Sequence, residues 1–267
     1  MKGECPMGSE RIVSLAAGTV LDADPPGTVD SAATAGFGAV GLWFDPASWT
    51  AATTSAVERR LRATGLVALD MEPVIFGRGS DPGDALVDTA VQLGVRHVLV
   101  ASGPAERGEV VQRFGELCER AASGGVVVVL EFLPIFTIGT LDDAVAVVTE
   151  VDQPNGAVLV DTLHLARSGG SPDDLLSVPA RLLPYLQVAD APAAPPASDR
   201  DALRDEALHG RMLPGDGALP LAATLAAVPD VPLSIELRSS ALMTRYPDPT
   251  DRARAVRAAC EPLLALR

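Results

Sequence analysis

The sequence predicts a closed (β/α)8 barrel forming a single domain, and three observations predict it. Eight short apolar or β-branched runs alternate with Ala-, Leu- and Arg-rich helical stretches. The runs lack the alternation of a half-exposed strand, as expected of parallel strands covered on both faces. The chain has 267 residues, and barrels of this kind take about 250. Alternating strand and helix implies parallel, right-handed crossovers. An open doubly wound sheet is the competing architecture. Against it, no G-x-G-x-x-G follows the first strand, where a dinucleotide site needs it.

The elements follow in order. "IVSLA" (12–16) is the first strand, and the helix at 28–35 ends on the glycine turn "AGFG". "AVGLWF" (39–44) leads to a helix at 51–63, closed by "TGL". "VALDMEPV" (67–74) leads to a helix at 82–93, closed by "LGV". "HVLVA" (97–101) precedes a helix at 106–122 that stops at "SGG". Glycine suits these positions because the residue just past a helix often takes the left-handed conformation. "VVVVLE" (126–131) is followed by a helix at 141–151, and "AVLVD" (157–161) by a short helix at 172–177. "YLQVA" (185–189) is separated from its helix at 219–227 by a low-complexity segment at 190–217. That segment is long for a strand-to-helix loop and is expected to lie over the barrel mouth as a lid. "PLSIE" (232–236) and a helix at 249–265 complete the set. Residues 1–10 are expected to be a disordered extension, with the barrel over 11–267.

Composition excludes several functions. Asp and Glu total 35 against 21 Lys and Arg, a net charge of −14, which opposes nucleic-acid binding. The apolar runs are too short to span a bilayer, and "MKGECPMGSE" has no apolar signal core, so a cytoplasmic protein with no membrane partner is expected. The only lysine is Lys2, too near the end of the chain to serve Schiff-base chemistry. Cys5, Cys118 and Cys260 are too scattered for a disulfide or zinc framework, and three histidines cannot furnish a multi-zinc site. The apolar helix at 51–63 makes a homodimer plausible.

The chemistry-bearing residues stand at strand ends. Glu131, Asp161, Gln187 and Glu236 end, or nearly end, four consecutive predicted strands. Thirty residues separate the first pair, 26 the second and 49 the third, which fits one strand–helix unit twice and then one unit plus the long loop. In a barrel these positions surround one point at the C-terminal face, where active sites form. Three carboxylates and an amide there would repel one another without a cation. An all-oxygen donor set suits a hard divalent ion, Mn²⁺ or Mg²⁺. A lone acid at a strand end is commonly a helix cap; four at equivalent ends are harder to explain that way. Past Asp161 come His164 and Arg167, and "RMLPGDG" begins with Arg211. His164 either faces substrate or supports a ligand, or else only serves a helix start. Arg167 and Arg211 are candidates for holding a substrate carboxylate or phosphate. Glu72 and Trp43 point to the same mouth, with Trp43 either walling the pocket or packing in the core.

"LEFLP", "GAVLVDTLHLARSGG", "LQVADAP", "RMLPGDG" and "LSIELRS" resemble the xylose isomerase-like barrel superfamily, in its sugar phosphate isomerase/epimerase branch. The likeness is strong from Val126 to Ser239 and weaker in "GFGAVGLWFD" and "LGVRHVLVASG". It implies a divalent ion held by Glu131, Asp161, Gln187 and Glu236, with His164 and Arg211 matching the family's histidine and arginine. Gly41 stands where many epimerising members carry Glu, and Gln187 where many carry His. A Gln there is similar to the bacterial 3-dehydroshikimate dehydratases of the same superfamily.

The resemblance and the strand-end acids together imply an isomerase or epimerase acting on a small polyhydroxy substrate. Glu131 and Glu236 would remove and return a proton next to a carbonyl, through an enediolate that the ion stabilises. A dehydratase of the 3-dehydroshikimate type shares this first step and is the alternative. A non-catalytic metal-binding barrel is the second.

Overall fold

The computed structural model describes residues 11–196 and 199–265. The extension expected at 1–10 lies outside the described residues. The strands are β1 (Val13–Leu15), β2 (Ala39–Trp43), β3 (Val67–Ile75), β4 (His97–Ala101), β5 (Val127–Glu131), β6 (Gly156–Asp161), β7 (Leu186–Val188) and β8 (Leu233–Ile235). All pair parallel in sequence order, and β8 returns to β1 through Val13↔Leu233 and Leu15↔Ile235, so the sheet is a closed barrel. The helices are α1 (Pro25–Ala35), α2 (Ala51–Thr64), α3 (Gly83–Leu93), α4 (Arg107–Ala122), α5 (Leu141–Val151), α6 (Thr162–Arg167), α7 (Pro172–Leu175), α8 (Arg200–His209), α9 (Leu221–Ala227), α10 (Ser240–Arg245) and α11 (Pro249–Leu264). Among the described residues, no helix is long and apolar enough to cross a membrane.

Local chemistry sets these boundaries. Asp24 accepts from the Gly27 backbone N–H and prolines open the first turn of α1, so that helix begins three residues earlier than its apolar pattern suggests. Thr140 caps α5 in the same manner through the Asp143 N–H. Gly94 ends α3 with φ 67°, a conformation that costs most side chains energy and glycine little.

The core has two shells. Outward-facing strand residues such as Val40, Leu42, Val98, Val128, Leu130, Val158 and Val160 pack under the helices. Ala39, Leu69, Leu99, Val129, Ala157, Leu159 and Tyr185 fill the barrel itself. Between β2 and β3 the register shifts: Val40 pairs with Ala68, but Gly41 pairs with Asp70. The extra residue, Leu69, joins the inner shell and leaves Asp70 opposite Gly41. A Cβ on Gly41 would lie 2.3 Å from Asp70 Oδ1, so glycine is what makes room for that carboxylate.

The described residues of the segment after β7 carry more regular structure than its composition suggests. It contains α8, capped by Asp199 through the Ala202 N–H, and returns through an antiparallel bridge between Asp190 and Met212. Asp190 Oδ2 accepts from the Gly215 and Gly217 N–H groups, fixing the "LPGDG" turn. Alanine and proline hide this helix from a pattern reading, because Glu206 and Ala207 are its only fully buried positions.

Candidate metal and catalytic centre

β5 and β6 end on their acids at the C-terminal mouth, and β8 ends one residue before Glu236. Glu131 closes β5, and Asp161 closes β6 and caps α6 at once. Asp161 Oδ1 accepts from the Leu163 and His164 N–H groups at 2.7 and 3.1 Å. That cap starts α6 at Thr162 without an intervening loop and turns His164 inward, 4% exposed. Ligand atoms of Glu131, Asp161 and His164 all lie within 4.8 Å of one another. His164 Nε2 is 3.8 Å from Glu131 Oε1.

Arg211 holds the other side. Its Nη1 donates to Asp161 Oδ2 at 2.5 Å, and its Nη2 lies 3.1 Å from Glu236 Oε2 and 3.5 Å from His164 Nε2. Its Nε donates to the Ala207 carbonyl of α8, so the segment over the mouth supplies the rigid mount for this guanidinium. Glu236 therefore joins the group through Arg211 rather than by direct approach to the other carboxylates. A guanidinium, not a fourth oxygen donor, occupies the space between Asp161 and Glu236.

The remaining expected residues divide. Gln187 pairs in register with Asp161 on one side and Ser234 on the other. Its amide nitrogen is 3.5 Å from Glu72 Oε2, while its Oε1 has no partner. Glu72 is 3% exposed, its Oε1 is also unpartnered, and with Trp43 it lines the mouth cavity. That cavity, of about 130 Å³, is bounded at its base by Glu131, His164, Arg211 and Glu236 and at its rim by Arg78, Arg204 and Arg238. The sequence reading missed these three rim arginines, since each comes from a different loop or helix.

Arg167 is not at the cavity, contrary to the expectation that it holds substrate. Its Nε and Nη2 form a two-point pair with Glu206 at 2.7 Å each, and Nη2 also donates to the Pro192 carbonyl at 2.7 Å. The pair is 39 residues apart in sequence and buried, so nothing local in "HLARSGG" foretells it. It clamps α8 to α6. Breaking a buried pair from one side costs about 3–5 kcal/mol. Arg167→Met is therefore expected to lower stability by about that amount and to raise KM more than it lowers kcat, as read by melting and steady-state kinetics.

Burial governs the electrostatics. Desolvation, with Asp161, Glu236 and Asp70 nearby, pushes Glu131 well above the usual carboxylate range against the pull of Arg211. Desolvation also raises Glu236, with Arg211 opposing. Asp161 is desolvated too, but the Arg211 guanidinium and the His164 backbone N–H hold it below its ordinary value. Burial drives His164 down to about 4 despite Asp161, so its imidazole is neutral at pH 7 and offers a ring lone pair.

Gly18, in the turn after β1, lies against this group. A Cβ there would sit 2.4 Å from Glu236 Oε1 and 2.9 Å from its Cγ. Gly18→Ala is thus expected to displace the Glu236 carboxylate while the fold persists. Misplacement of a reacting group by about 1 Å costs about 10²-fold. The expected result is a kcat/KM loss of that order with an unchanged circular dichroism spectrum.

The family described as Xylose isomerase-like TIM barrel matches residues 29–262, and the chain belongs to it. Among curated proteins, a 3-dehydroshikimate dehydratase of Pseudomonas aeruginosa is 30% identical over 159 residues, 57% of this chain and 24% of that protein. An inosose isomerase of Bacillus licheniformis is 27% identical over 159 residues, 56% of this chain and 55% of that protein. The chain thus spans about a quarter of the first relative and about half of the second. A crystal structure of IOLI protein with a bound zinc atom superposes with a TM-score of 0.80 at 17% identity, covering 95% of this chain and 98% of that one. At that identity the likeness concerns the fold.

Proposed function

We propose that this chain is a divalent-metal-dependent enzyme that removes a proton next to the carbonyl of a small, polyhydroxylated, anionic substrate. The convergence of Glu131, Asp161 and His164, tied to Glu236 by Arg211 at the base of an arginine-rimmed cavity, carries this reading.

The donor set fits a divalent ion. Two carboxylates and a neutral imidazole lie within one coordination sphere's span, and the carboxylates repel one another for want of positive charge. Glu131, Asp161 and His164 would hold the ion, with Glu236 and Gln187 on the flanking strands as further donors. Mixed oxygen and nitrogen donors suit Mn²⁺ and Zn²⁺ as well as Mg²⁺, and the zinc-bearing neighbour agrees with that range. Such an ion, when bound, polarises a substrate carbonyl and stabilises the negative charge that develops on it.

The protein's own groups do the rest. The Glu131 carboxylate, made more basic by burial, takes the α-proton. Arg211 fixes Glu236 on the other side of the same floor. Neutral His164 can donate an N–H to an oxygen of the substrate. Arg78, Arg204 and Arg238 draw a carboxylate or phosphate to the rim and align the reacting carbon below it. From the enediolate, a proton returned by Glu236 gives isomerisation or epimerisation. Loss of a β-hydroxyl as water, carrying the proton that Glu131 removed or one held by Glu236, gives dehydration.

The arginine rim, Gln187 on β7 and the dehydratase relative together favour dehydration of a carboxylate-bearing substrate of the 3-dehydroshikimate type. Isomerisation of an inosose or ketose is the second reading, favoured by the isomerase relative. The test is to incubate the Mn²⁺-loaded protein with 3-dehydroshikimate and, separately, with inososes and ketoses in D₂O. Aromatic absorbance from the first supports dehydration. Deuterium incorporation into the second set, without absorbance change from the first, supports isomerisation. The absence of both responses would contradict proton abstraction at this site.

A further inference from the structure

A second cavity lies beside the mouth, at the same C-terminal end of the barrel, and the chemistry above does not use it. The turns after β1 and β2 and the start of α2 enclose it, with about 380 Å³ of space against about 130 Å³ in the mouth. Trp43, the last residue of β2, lines both cavities, so its indole stands between them. The chain has two tryptophans, and both border this second space. Both are half-buried. Trp49 is fixed in place: its Nε1 donates to Thr54 Oγ1 at 2.9 Å, and its ring centroid lies 5.2 Å from that of Phe44. Asp45 is fixed as well. It accepts from the Ala47 N–H and the Ser48 hydroxyl, which hold its carboxyl below the usual carboxylate range. Asp24 accepts from the Gly27 N–H at 2.8 Å. Aromatic walls with a few preset polar groups are the build of a small-molecule pocket.

The lining selects the ligand. Among the described residues, no basic side chain borders the cavity while Asp24 and Asp45 do, which opposes an anion. An apolar ligand would strip water from Asp24, Asp45 and Ser48 without replacing its hydrogen bonds. A cation would compete with Arg238, whose guanidinium already stands 5.8 Å from the Trp43 ring centroid. A neutral polyhydroxylated ring meets all three demands. Its C–H face packs on the electron-rich indole faces, and its hydroxyls donate to the two carboxylates as charge-assisted hydrogen bonds.

We propose that this cavity binds a neutral sugar ring that is part of the substrate. The substrate is then a two-ring molecule, with its neutral ring against Trp43 and Trp49 and its anionic, reacting ring in the arginine-rimmed mouth. Placement of the reacting ring rests on the function proposed above; binding of the neutral ring does not.

Intrinsic fluorescence of the whole chain tests this, because both of its tryptophans border the cavity. Methyl β-glucoside is expected to change the emission saturably, and tetramethylammonium at equal concentration is expected not to. Glucosyl-glucuronates, taken as a set of differing linkage, carry a neutral and an anionic end together. The best of them is expected to bind at least about tenfold tighter than methyl β-glucoside, because its second contact is intramolecular. Ala52→Arg, on the exposed face of α2 at the cavity wall, puts a long side chain into the space. It is expected to abolish the response to methyl β-glucoside at an unchanged melting temperature. No saturable response to methyl β-glucoside, a response to tetramethylammonium of the same size, an undiminished response in Ala52→Arg, or a set of glucosyl-glucuronates none of which binds tighter than methyl β-glucoside would each overturn the proposal. No turnover is measured, so these outcomes stand apart from those of the absorbance and D₂O assays.

Discussion

Glu131→Gln is expected to abolish turnover, lowering kcat/KM by about 10³-fold or more, while the melting temperature of the metal-free protein holds or rises. A positioned general base contributes about 10²–10⁴-fold, and the amide cannot accept the α-proton. The stability half of the prediction follows from the surroundings. Glu131 is 8% exposed and crowded by Asp161, Glu236 and Asp70, so its charge is repelled on every side except that of Arg211. An uncharged side chain of the same shape removes that repulsion without opening a cavity. Glu236→Gln is expected to behave alike. Deuterium exchange at the substrate α-carbon and thermal melts measure the two halves. A rate within tenfold of wild type would contradict the assignment of Glu131 as base.

Arg211→Met is the second large effect, and its sign depends on the ion. Arg211 is 3% exposed and lies between Asp161 and Glu236. Its loss leaves both carboxylates buried without a cation, which costs about 3–5 kcal/mol. Methionine keeps most of the volume, so the loss reports charge and not packing. The carboxylates freed in this way should bind a divalent ion at least as well as the wild type does, because the ion no longer shares them with a guanidinium. Mn²⁺ is therefore expected to raise the melting temperature of Arg211→Met by more than it raises that of the wild type. Chemical denaturation with and without Mn²⁺ checks this. An equal response of the two proteins would show that Arg211 does not compete for the ion's ligands.

The barrel was legible because its strands are unmistakable as apolar runs and its helices end on glycines. Glu131, Asp161 and Glu236 were legible for a related reason: a carboxylate at the end of a buried strand has no packing role. What chain spacing could not convey is direction and pairing. His164 stands three residues past Asp161 in any reading, but only the start of α6 at Thr162 turns it toward Glu131. Arg167 and Arg211 read alike as free cations, yet one meets Glu206 and the other Asp161, partners 39 and 50 residues away. Asp70 was hidden by the register shift at Leu69, since strict alternation along β3 would send two adjacent residues to opposite faces. Gly41 looked like a missing acid on β2, whereas the structure makes it the space that Asp70 fills.

Whether Glu131, Asp161 and His164 share one divalent ion is tested most directly by Mn²⁺ binding followed by electron paramagnetic resonance. The expected result is one tightly bound Mn²⁺ per chain in the wild type, with affinity reduced by about tenfold to a hundredfold in His164→Ala and by more in Asp161→Asn. Wild-type protein that binds no Mn²⁺, or variants that bind it as tightly as the wild type, would contradict the account.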